Sequence, residues 1–116
     1  MSVESICGSF VPNGSDEIDN ALNKGTTWYF TVTRVSVGKY RLLCDSFYND
    51  VWMQDVALTL GTSPATNPGY VLYMGEFDMV SVPHTQDIVV YDSAGNPVDI
   101  PYAAGRSIGF DIVAVY

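Results

Sequence analysis

The run from Thr26 to Asp45 limits what this chain can become more than any other stretch of its sequence. Trp28, Phe30 and Val32 share one parity, β-branched and aromatic residues fill most positions between them, and Val35 to Gly38 supplies a reversal. Side chains of a strand alternate between its two faces, so the run predicts two long strands folded back on each other with one face buried. A chain built around such a hairpin is expected to be all-β.

The flanking sequence continues in the same manner. Val3 to Val11 is β-compatible, with Glu4, Ile6, Gly8 and Phe10 on one parity, and Pro12-Asn13-Gly14 ends it. Val56, Leu58 and Leu60 alternate, and residues 61–69 form the longest breaker-rich stretch. Tyr70 to Val82 predicts one long strand, or two separated by a bulge at Gly75, before Pro83 to Gln86 turns the chain into a strand over Asp87 to Tyr91. Asp92 to Pro97 reads as a turn, Val98 to Tyr102 as a brief strand, and Ser107 to Tyr116 as a last strand with Ile108, Phe110, Ile112 and Ala114 on one parity.

Helical character is confined to residues 15–24. Ser15 offers a cap, acids follow it, Ile18 and Leu22 lie four apart, and Gly25 closes the segment. A short helical connector is expected there, laying Ile18 and Leu22 on the core. The whole reads as one domain over residues 1–116: an antiparallel β-sandwich of jelly-roll type with eight or nine strands.

Composition narrows the function. Thirteen acidic against five basic residues give a net charge of −8, which repels phosphate backbones and anionic membrane surfaces, so neither nucleic acid nor membrane is an expected partner. Three of the five cations, Arg34, Lys39 and Arg41, fall in the central hairpin and form a candidate assembly contact for an acidic neighbour. With 47 % hydrophobic residues and eight Tyr in 116 residues, apolar surface exceeds what one small domain can bury, and self-association is expected. The first residues lack the basic and apolar regions of a signal peptide, which predicts synthesis and retention in a cytoplasm. Cys7 and Cys44 show no metal or redox spacing and are either buried thiols on neighbouring strands or a disulfide.

Candidate chemistry is sparse. His84 is the only histidine, with Ser81 and Asp87 near it in sequence, but no nucleophile elbow presents a serine. A small hydrolase built on a carboxylate pair is a third-ranked reading, and the Asp residues sit near predicted strand ends, where they commonly make turns. Neither the segment around Asp16 nor the Asp92 to Asn96 turn has the ligand spacing of a calcium loop, and no cofactor or metal is expected. Tyr48, Asn49, Asp50 and Trp52 offer stacking faces with amide and carboxylate groups, a candidate glycan site and the basis of a second-ranked reading as a carbohydrate-binding module.

Two segments resemble a known group. Val35-Ser36-Val37-Gly38-Lys39-Tyr40-Arg41-Leu42 is similar to the hairpin of small β-sandwich modules at the ends of bacteriophage fibres and on phage heads. Val89 to Asp99, with its Asp92-Ser93-Ala94-Gly95-Asn96-Pro97 turn, followed by Phe110 to Tyr116, resembles the last strands of the same modules. The resemblance implies a non-enzymatic jelly-roll knob or decoration subunit located on a virion. It also implies assembly, commonly as a homotrimer, on a larger capsid or tail protein, with a host surface glycan as a further possible partner.

Overall fold

The central hairpin is present as β3 (Phe30–Ser36) and β4 (Lys39–Cys44), reversed through a turn at Val37 and Gly38. The computed structural model describes residues 3–25, 30–44, 50–60, 69–78, 80 and 84–115. Around the hairpin are β1 (Val3–Phe10), β2 (Lys24–Gly25), β5 (Asp50–Thr59), β6 (Val71–Asp78), β7 (His84–Tyr91) and β8 (Ser107–Val115). Two four-stranded antiparallel sheets result, in the orders β2-β1-β8-β5 and β3-β4-β7-β6. They make a β-sandwich in which the last strand closes between the first and a middle one, while the second sheet is two hairpins laid side by side.

The alternation read from the sequence explains the core. Phe10, Ile108, Phe110 and Ile112 of one sheet meet Val32, Tyr40, Leu42, Cys44, Ile88 and Val90 of the other, and Ile18 and Ile100 join the same cluster. Aromatic rings link the layers: Phe30 meets Phe110 edge-on at 4.8 Å, and Phe10 lies 5.3 Å from Tyr40. The predicted bulge is real, since the β6–β7 register shifts between Met74 and Phe77. Gln86, buried on β7, donates to the carbonyls of Gly75, Glu76 and Asp87, which supplies its amide with acceptors in the interior.

Five expectations are corrected. The connector is one 3₁₀ turn at Asn20–Leu22, capped by Asp19 and not by Ser15. Ile18 reaches the core but Leu22 is 45 % exposed. Residues His84 to Gln86 belong to β7 and make no turn, because their backbones pair with β4. Val98 to Tyr102 is not a strand. With Pro97 and Pro101 unable to donate, it is fastened instead by Val98 N–H to the Val90 carbonyl and by the Ile100 carbonyl to Gly14 N–H. The cysteines fit neither reading: Cys7 is exposed on β1, Cys44 is buried on β4 in the other sheet, and both are free thiols.

Candidate functional site

The hairpin's three cations do not form one open strip. Arg41 and Asp87 are directly opposite on β4 and β7, on the outer face of the sheet, where two N–H groups of the guanidinium donate to the carboxylate at 2.8 and 3.1 Å. Lys39 approaches the same carboxylate at 3.6 Å. Asp87 is only 2 % exposed although it faces outward. The bulge explains this, since the Gly75 backbone passes so close that a Cβ there would stand 3.1 Å from Asp87 Cβ.

Arg34 lies on the other face. It is opposite the core residue Tyr40 and donates in bidentate fashion to Asp99, which also accepts from Gly38 N–H at 2.9 Å. Burial pushes the Asp99 carboxyl up, but the hydrogen bonds from Arg34 and Gly38 outweigh it and hold the group below the usual carboxylate range. The hydrogen bonds from Arg34 and Arg41 to their carboxylates raise both guanidinium pKa values in turn. These cations therefore act first inside the chain, fixing the hairpin to β7 and to the segment after it. The structure brings Lys39 and Arg41 together around Asp87 and separates them from Arg34.

Of the glycan candidates, Tyr48 and Asn49 lie outside the described residues, as do the side chains of Asp50 and Trp52. Aromatic chemistry of the same kind occurs elsewhere. Tyr73 and Tyr91, on neighbouring strands of the outer face, stand 5.9 Å apart at 61°, and with Val71, Asp92, Ser93 and Gly95 they line an open groove of about 310 Å³. Asp92 Oδ1 accepts from the N–H groups of Ala94 and Asn96, which presets the carboxylate's orientation. Sequence reasoning missed this pairing because β6 and β7 had to be placed in register first.

His84 is buried on β7 opposite Cys44, whereas Asp87 points to the other face and is held by Arg41 and Lys39, so the two do not meet as base and orienter. Ser81 lies outside the described residues. Among the described residues, no group of three His, Cys, Asp or Glu side chains is placed to hold a metal, and no helix is long and apolar enough to cross a membrane.

The most conspicuous surface is β6. It is the terminal strand of its sheet, and Tyr73, Met74 and Phe77 are exposed along it, with Phe77 at 66 % and the following Val80 at 94 %. The opposite terminal strand, β3, is treated differently. The Asn20 side chain accepts from Val32 N–H at 2.8 Å and donates to the Val32 carbonyl at 3.1 Å, taking the place of a neighbouring strand. The chain matches no family model, and neither a curated protein nor a solved structure with significant similarity to it was found.

Proposed function

We propose that this protein is a non-enzymatic structural subunit that self-associates through the β6 edge and docks on a larger capsid or tail protein, as a head decoration or fibre component of a virion. The observation that carries the reading is the contrast between the two ends of one sheet. Asn20 occupies the β3 edge, while β6 leaves Tyr73 exposed on the outer face and Met74 and Phe77 exposed on the opposite parity. Large apolar side chains left exposed along a terminal strand mark a candidate interaction surface. The bulge between Met74 and Phe77 interrupts a flat edge, so side-chain packing is favoured over continuous strand addition. The virion assignment draws on the two segments that resemble phage fibre and head modules.

Light scattering tests the self-association. A homotrimer gives three times the chain mass of 12.7 kDa, and Phe77→Asp is expected to reduce it to the monomer without loss of fold. A wild-type protein that stays monomeric at high concentration contradicts the reading. Affinity capture from infected cells tests the docking, with a capsid or tail protein as the expected companion.

A second reading, carbohydrate binding, has its own observation in the Tyr73–Tyr91 groove beside Asp92. A sugar ring stacks on aromatic faces while a carboxylate accepts from its hydroxyls. Asp92→Asn retains an acceptor for the turn and removes the carboxylate. Loss of glycan-array binding in both that variant and Tyr73→Ala supports the reading, and a wild-type array without signal removes it.

A further inference from the structure

Three of the five basic residues are paired with carboxylates within the chain, Arg34 with Asp99 and both Lys39 and Arg41 with Asp87. Among the described residues the other two, Lys24 and Arg106, have no carboxylate partner, and they line the same groove. This depression of about 220 Å³ is bounded by Ser9, Val11, Lys24, Tyr102, Arg106 and Ser107. Arg106 is 8 % exposed. Its Nη1 donates to the Pro101 carbonyl at 2.8 Å, and its Nε is buried with no acceptor. A guanidinium withdrawn from water without a counter-charge is costly, and an anion entering the groove offsets that cost.

The groove's other walls define what carries the anion. Leu22 and Tyr102, both exposed, extend it into an adjoining depression of about 280 Å³ that also touches Asn13 and Asp19. Asp19 repels negative charge at that far end, so the anionic group belongs beside Arg106. A net charge of −8 disfavours multiply charged ligands such as phosphate, whereas a single carboxylate matches a planar guanidinium with a lysine beside it.

We propose that this groove binds a carboxylate borne on an apolar body, the carboxylate on Arg106 and Lys24 and the body across Tyr102 and Leu22. The inference is independent of the β6 contact, which involves none of these residues.

The test is a two-dimensional NMR titration of the full chain with phenylacetate. Phenylacetamide, inorganic phosphate and an end-capped peptide with one Glu between two Leu serve as the other probes. Saturable shifts at Lys24, Tyr102 and Arg106 are expected, with phenylacetate preferred over its neutral amide by about tenfold or more. Lys24→Gln weakens the response, and Arg106→Met abolishes it while the domain remains folded, since Met replaces an uncompensated charge by an apolar chain of similar length. If Arg106→Met fails to fold, Lys24→Gln and Tyr102→Ala carry the test, and unchanged phenylacetate affinity in both overturns the proposal. Equal affinity for amide and acid overturns it in favour of a merely apolar groove. Binding of phosphate alone, or no saturable shift, overturns it as well. A peptide that binds more tightly than phenylacetate places the carboxylate on another protein, and the reverse order assigns a free acid; both uphold the site.

Discussion

At the scale of single residues, Gly38 and Asp99 hold the hairpin turn to the rest of the chain. Gly38 has φ of 67°, and a Cβ there would stand 2.5 Å from the Val90 carbonyl oxygen, so both the backbone and the space require glycine. Gly38→Ala is expected to cost roughly 1 to 3 kcal/mol from the left-handed conformation alone, with the clash added, as read from urea midpoints. Asp99 makes the pair's dependence on acid predictable. Its carboxyl is held below its unfolded value, so its contribution is complete above about pH 4 and is lost as pH falls through the folded value. Asp99→Asn should therefore flatten the acid limb of the stability profile. The alkaline limb has a different origin. Burial pushes the Tyr40 phenol up to about 12, so the stability linked to it is full below about pH 10 and declines as pH rises through 12. The decline is on the order of 2 to 3 kcal/mol, and Tyr40→Phe should remove most of it from an alkaline denaturant series.

At the scale of elements, β6 is where the proposed contact and the folding make opposite demands. Gly75 must open the register so that Asp87 is covered and Gln86 finds carbonyl partners, yet the same strand exposes Phe77. Phe77→Asp is expected to leave thermal stability within about 0.5 kcal/mol of wild type while reducing the proposed self-association, a separation that calorimetry and light scattering read together. Strands with one apolar parity, β1, β3, β4 and β8, were legible from alternation alone. The start of β7 was not, because Pro83, His84 and Gln86 look like a turn until the bulge supplies acceptors for a buried amide. Val98 to Tyr102 misled for the opposite reason, having the apolar spacing of a strand but Pro97 before it and Pro101 within it. The paired charges could not be read at all: Arg41 and Asp87 are 46 positions apart and Arg34 and Asp99 are 65 apart, so only the strand order brings them together.

At the scale of the whole molecule, one apolar cluster spans both sheets, and Ile88 lies fully buried within it. Ile88→Ala should cost about 2 to 5 kcal/mol by lost burial and residual cavity, enough to consume much of the stability of a domain this small. The position of β8 has a consequence for how the protein is made. β1 and β5 are both neighbours of β8 and of no other long strand, so their shared sheet cannot exist until residues 107–115 have left the ribosome. Until then the nascent chain can hold the finished β3-β4-β7-β6 sheet, while β1 and β5 lack their shared neighbour and the sheet's apolar face stays open to chaperones or to other chains. A chain ended after Arg106 is expected to be degraded or to aggregate, and one in which β8 is added in trans as a peptide is expected to recover the fold. For this sandwich, the emergence of β8 is the step that licenses closure of the first sheet, and the proposed self-association can only follow it.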